Sequence, residues 1–159
     1  QIVSVDVGSI YDGFYGDHAK TFIVGETSKK KVKLIDDTKK CLMIGIEQMK
    51  IGNTIGDIGF AIQSYAESCG YGVVRELVGH GIGSKLHEEP QVPNYGMKGT
   101  GHKIEEGLCL AIEPMINLGS ASVFTKKDNW TVCTIDGLPS AHFEHSVAVS
   151  NNKIKVLTT

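Results

Sequence analysis

Four carboxylates stand inside stretches that otherwise read as β-strand, and their placement constrains the fold more than any other feature of the chain. Asp6 follows the β-branched run Ile2-Val3-Ser4-Val5, and Asp17 lies in Phe14 to Val24, beyond an Asp12-Gly13 pair of the type I′ hairpin kind. A two-residue turn at 12 and 13 pairs residues whose numbers sum to 25, so Asp17 is predicted to face Gly8 and Asp6 to face Ala19. Residues two apart share a strand face, which makes the aspartates a diagonal pair within reach of one bound ion. Edge residues pointing into water are the plainer reading of that pair taken alone. Glu113, in Leu108 to Met115, shares a face with Ala111 and Cys109, while Glu144 shares the His142, Ser146 and Ala148 face of Phe143 to Val149. A carboxylate on an inward strand face is costly without a cation; an exposed sheet edge is the alternative for each.

The rest of the pattern sets the fold class. Residues 29 to 49 carry Val32, Ile35, Leu42, Met43, Ile46 and Met49 at threes and fours, with one gap over Asp36 to Lys40, and predict a helix ending at Gly52. A second helix, capped by Asn53 or Thr54 with Asp57, presents Ile58, Ala61, Ile62, Tyr65, Ala66 and Cys69, and closes at Gly70. Gly79 to Glu106 reads as a long irregular stretch of the kind that carries function. Leu108 to Ile116, Trp130 to Ile135, His142 to Val149 and Ile154 to Leu157 read as strands, with turns at Asp136-Gly137 and Asn151-Asn152. A β-hairpin, two helices and a meander imply an α+β fold, a mainly antiparallel sheet covered by helices, in one domain over residues 1–159.

Sixteen Lys and Arg against eighteen Asp and Glu leave a net charge of -2, which argues against DNA or an anionic membrane as partner. No apolar run approaches the roughly 18 residues that span a bilayer. Cys41, Cys69, Cys109 and Cys133 form no CxxC pair, so reduced thiols in a cytoplasm are expected. With no initiator Met and a start in mid-strand, an upstream part of the fold is expected to be missing.

Gly79-His80-Gly81-Ile82-Gly83 sets an imidazole between glycines that permit close backbone approach to a ligand, and His87 follows seven residues on. A phosphate loop does not fit, because Ser84 stands where the Walker pattern needs glycine. Each histidine alone reads more readily as structural. Taken together, Asp6, Asp17, His80, Glu113 and Glu144 form an all-oxygen set with one imidazole, whose mutual repulsion two divalent ions would balance. Hard oxygen ligands favour Mn²⁺, Fe²⁺, Co²⁺ or Mg²⁺, and a structural zinc would want cysteines; zinc at a catalytic position stays open.

In chain order, Asp6, Asp17 in YDGFYGD, His80 in GHGIG, His87 in HEEPQVPNYG, Glu113 in IEPM, Trp130 in DNWTV and Glu144 in FEHS closely resemble the methionine aminopeptidases of the pita-bread metallopeptidase family. The likeness is to the bacterial type I form, since 31 residues from Glu113 to Glu144 leave no room for the insertion of type II enzymes. It implies a curved pita-bread sheet, two divalent metal ions, and removal of N-terminal methionine from peptides and nascent proteins by a hydroxide held between the ions. It also implies that Asp6 chelates one ion, that Asp17 and Glu144 bridge both, and that His80 and Glu113 complete the other. Glu113 is then the proton shuttle, His87 the donor to the scissile carbonyl, and Trp130 a substrate contact, although a plain core aromatic is an equal reading of Trp130. Xaa-Pro peptidases of the same fold and non-catalytic binding modules are the rival readings. Gly8 and Ser9 replace the family's usual threonine, and the upstream half, with a further histidine and much of the methionine pocket, has no counterpart here. A monomer is expected. The cluster Lys29, Lys30, Lys31, Lys33, Lys39 and Lys40 reads first as a solvated helix face and second as a contact with the ribosome.

Overall fold

The computed structural model describes residues 1–158. It opens with the hairpin β1 (Ile2–Tyr11) and β2 (Phe14–Ile23), joined through Asp12 and Gly13 at φ 49° and 84°. Both residues therefore occupy the left-handed region a type I′ turn demands. The register is the predicted one, Asp6 opposite Ala19 and Gly8 opposite Asp17.

Two helices follow, α1 (Lys29–Ile46) and α2 (Ile55–Ser68). Ser28 caps the first through a bond from Lys31 N–H. Thr54 begins the second, its N–H and hydroxyl both donating to the Asp57 carboxylate. The inward face of α1 differs from its apolar stripe: Val32 and Met43 are exposed, whereas Asp37 and Thr38, in the predicted gap, are buried. Hydrogen bonding explains why polar groups tolerate that position. Thr38 Oγ1 donates to Leu34 O, and the Asp37 carboxylate accepts from Tyr65 OH, Tyr71 OH and the Lys33 ammonium, locking the two helices together.

The remaining strands are β3 (Gly72–Val73), β4 (Gly79–Gly81), β5 (Glu88–Val92), β6 (Cys109–Ile112), β7 (Met115–Asn117), β8 (Val123–Thr125), β9 (Val132–Thr134), β10 (Ser140–His142), β11 (His145–Ser150) and β12 (Lys153–Val156). They form a five-stranded sheet in the order β12-β11-β6-β4-β5, a three-stranded sheet β10-β7-β3 and the ribbon β8-β9, with every pairing antiparallel. The α+β, antiparallel expectation is met, but the meander is not: β4, from the stretch expected to be irregular, is an interior strand between β5 and β6.

Two expected long strands are each split between sheets. Leu108 to Ile116 breaks at Glu113-Pro114, where proline can neither donate to a ladder nor leave its predecessor free. His142 to Val149 breaks at Phe143-Glu144, so Glu144 sits between β10 and β11 rather than on a strand face. The hairpin docks across that break: Asp17 N–H donates to Ser146 Oγ, Ser146 Oγ donates to Asp17 O, and Glu144 N–H donates to Ala19 O. One buried apolar cluster, including Leu34, Leu42, Ile58, Ile62, Leu110 and Val147, lies between helices and sheets.

Close approach of α2 to the loop after β5 rests on Gly59, where a Cβ would lie 2.3 Å from Tyr95 O and 2.7 Å from Pro93 O. Gly59→Ala is expected to cost about 1–3 kcal/mol by overpacking, read as a lower urea midpoint with unchanged slope. A midpoint equal to the unmodified chain's would show that the loop yields freely.

Candidate metal centre

The breaks and the hairpin bring the predicted side chains together at a cleft of about 1060 Å³, bordered by Asp6, His80, His87, Glu113, Trp130 and His142 among others, with Asp17 and Glu144 buried beside these rather than on its lining. Hairpin pairing carries Asp6 and Asp17 there, β4 carries His80, and the ends of β6 and β10 deliver Glu113 and Glu144. One ligand atom from each of Asp6, Asp17 and Glu144 lies within 4.8 Å of the other two, and the same holds for His80, Glu113 and Glu144, and for Asp17, His80 and His87. Glu144 belongs to two of these groups and is 1% exposed. Its Oε1 has no hydrogen-bond partner among the described residues.

An orphaned carboxylate oxygen at that depth fits a cation site, since desolvation without compensation costs several kcal/mol. The electrostatics agree: burial, then the charges of Glu113, Asp17 and Asp6, push the Glu144 carboxyl up to about 10. Asp6 is also raised, by partial desolvation in the cleft and by Asp17, with His142 opposing. Oxygen-rich donors with imidazole suit a divalent ion, so the residues present fit the pair of ions expected of them.

Glu113 is held on several sides. His80 Nε2 stands 3.4 Å from its Oε1, His142 Nε2 stands 3.4 Å from its Oε2, and the buried Asn94 donates from Nδ2 to its backbone oxygen at 3.1 Å. His87 is exposed and meets His80 edge-on, ring centroids 4.4 Å apart. Trp130 borders the cleft but belongs to none of the ligand groups. At 86% exposure it is no core aromatic, and it lies in a turn held by Asp128 rather than on the expected strand.

The glycines around His80 serve the packing of the sheet. A Cβ at Gly79 would lie 2.3 Å from Ala111 O, and one at Gly81 equally close to Glu89 O. They permit close packing of β4 between its neighbours. Asn94 and His142, which the sequence pattern does not single out, both contact Glu113. His142 stands two before Glu144 on the same expected strand face, a signal with no chemistry attached to it.

Four carboxylates and an imidazole converging on one cleft of an antiparallel α+β scaffold define a candidate dinuclear metal centre. The chain belongs to metallopeptidase family M24, whose model matches residues 1–151. The methionine aminopeptidase of Clostridium acetobutylicum is 50% identical over 157 residues, a match covering 99% of this chain and 63% of that relative. The crystal structure of methionine aminopeptidase from Thermotoga maritima superposes with a TM-score of 0.96 at 47% identity, covering 99% of this chain and 64% of that one, which bears out the pita-bread expectation. A prolidase from Pyrococcus furiosus superposes at 0.77 with 24% identity, covering 99% of this chain and 41% of that one, and shares the fold alone. The chain thus spans just under two thirds of the length of the methionine aminopeptidases it matches.

Proposed function

We propose that this chain is the catalytic part of a metal-dependent aminopeptidase that releases N-terminal methionine from peptides and nascent proteins. The observation that carries the reading is the unpartnered Oε1 of the buried Glu144, at the meeting point of two ligand groups. The sequence similarity to methionine aminopeptidases supports the choice of substrate over Xaa-Pro peptides. Residues 1–159 form one catalytic domain, the C-terminal portion of a longer pita-bread domain. The hairpin's exposed apolar side chains, Val5, Val7, Ile10 and Phe14 among them, support that reading as a surface suited to further chain.

Asp6, Asp17, His80, Glu113 and Glu144 would hold the two divalent ions, Glu144 belonging both to the group with Asp6 and Asp17 and to the group with His80 and Glu113; Mn²⁺, Fe²⁺ and Co²⁺ suit these donors best. Bound ions of this kind supply a water acidified to about pKa 7 and polarise the scissile carbonyl. Glu113, steadied through its carboxylate and its backbone, takes up a proton at a carboxylate oxygen and delivers it to the departing amine. His87, on the open side of His80, donates from its ring nitrogen to the oxyanion forming on the carbonyl oxygen. Trp130, at the rim, flanks the peptide.

The free state of all four cysteines supports a reducing compartment, the cytoplasm. No helix among the described residues is long and apolar enough to cross a membrane. The working form is a monomer. Contact with the ribosome would run through Lys29, Lys30 and Lys39 on α1, because Lys33 is engaged by Asp37 and Lys40 lies over the Tyr65 ring.

With Mn²⁺ or Co²⁺ supplied to the full chain, Met should be released from Met-Ala-Ser while Ala-Pro stays intact. Asp17→Asn should abolish release and lower Mn²⁺ affinity by more than the roughly 10–100-fold that outer-shell partners cost. Prompt cleavage of Ala-Pro with untouched Met-Ala-Ser would move the reading to a proline peptidase. Heat-silent titration with both ions would move it to a binding module.

A further inference from the structure

Glu113 is gripped from two directions. Its Oε1 faces His80, an expected ligand, and its Oε2 faces His142, to which nothing in the proposed chemistry gives a role, at the same 3.4 Å. The His142 side chain is only 15% exposed, and its Nε2 is buried without a hydrogen-bond partner among the described residues. Contacts from three strands hold it in that pose. His142 pairs with Met115 across the β10-β7 ladder, which sets it beside the Glu113-Pro114 break. Its N–H donates to Thr21 Oγ1 at 2.9 Å, and the same hydroxyl donates to His142 O at 2.9 Å. Ser4 Oγ lies 2.8 Å from Thr21 Oγ1, so both strands of the hairpin brace this corner.

His142 stands outside the three ligand groups, all of which exclude it. A buried imidazole that reaches a single carboxylate oxygen, from beside the ligands rather than among them, has the geometry of an outer-shell partner. We propose that His142 is the positioning residue of Glu113: with an Nε2–H aimed at Glu113 Oε2, it occupies that oxygen and leaves Oε1 to the ions. The carboxylate then has one free oxygen and a fixed plane, which is the orientation that both ligation and proton transfer require. The inference rests on the proposed metal-dependent reading and goes beyond it in naming the group that fixes Glu113.

The experiment titrates the full chain with Mn²⁺ by calorimetry and records the visible absorption of its Co²⁺ form, for the unmodified protein, H142Q and H142L. Glutamine keeps an N–H donor; leucine keeps volume and loses it. H142L should weaken Mn²⁺ binding by about 10–100-fold and alter the Co²⁺ spectrum, while H142Q restores both and the metal-free forms unfold at similar temperatures. Should H142L fail to fold, H142A takes its place. An H142L protein with unchanged affinity and unchanged Co²⁺ spectrum overturns the proposal. Equal loss in H142Q and H142L overturns it as well, by making the ring itself a ligand. An unmodified chain that binds neither ion overturns the metal-dependent reading itself, a result distinct from unaltered binding in H142L.

Discussion

Replacing Glu113 by Gln should lower turnover of Met-Ala-Ser by about 10²–10⁴-fold, the range in which a positioned general acid or base contributes. The amide keeps an oxygen toward His80 and roughly the same volume, so the fold and the cleft should survive. What it loses is the capacity to take up a proton and hand it to the amine. Metal loss and proton-transfer loss are separable because the first is saturable. Turnover should stay low even when Mn²⁺ is raised until calorimetry shows full occupancy. A Glu113→Gln protein that recovers to within tenfold of the unmodified rate under those conditions would leave Glu113 a ligand and nothing more. Product release and substrate affinity are checked in the same series, since a shuttle acts on kcat and leaves KM little changed.

The second large effect concerns stability without metal. Glu144 has an ordinary carboxyl value of 4.5 in the unfolded chain and is pushed up to about 10 in the fold, first by burial and then by Glu113, Asp17 and Asp6. Between those two values the folded form keeps a proton that the unfolded form has released. Metal-free stability must therefore fall as pH rises through that window, and below the unfolded value the group contributes no difference. From pH 7 to pH 9 the loss is on the order of 3 kcal/mol, at roughly 1.4 kcal/mol per unit.

Urea unfolding of the chelator-treated chain at the two pH values measures it. Glu144→Gln should flatten the slope and raise the metal-free midpoint at pH 9, because the amide removes the charge that burial penalises. Saturating Mn²⁺ should reverse the slope in the unmodified chain, since ligation requires the deprotonated carboxylate. Equal metal-free stability at pH 7 and pH 9, or a slope that persists in Glu144→Gln, would show that this carboxyl is not strained by its neighbours.

Much of this molecule was legible in its letters. Asp12-Gly13 fixed the hairpin register, because only a left-handed pair makes so tight a turn and the pairing then follows by counting. Thr54 with Asp57 marked the start of the second helix, again a contact over three residues. The identity and order of Asp6, Asp17, His80, Glu113 and Glu144 carried the expectation of metal chemistry, since acids in strand-like segments are costly to bury unless a cation compensates them.

What escaped was set by residues far apart in the chain. Glycine-rich 79–81 has poor strand propensity and became an interior strand only because β5 and β6 close on it from either side, through gaps a Cβ would fill. Asp37 broke the helix pattern because its partners, Tyr65 and Tyr71, lie 28 and 34 residues away. Trp130, which suited a core position as well as a substrate contact, proved to be cleft rim. Sequence alone determined which side chains this protein has for chemistry and which local turns and caps it makes, because those depend on neighbours within a few residues. Only tertiary structure decided how they meet: Asp17 and Ser146, 129 residues apart, clasp the hairpin to the break at Glu144, and that long-range contact brings the carboxylates together.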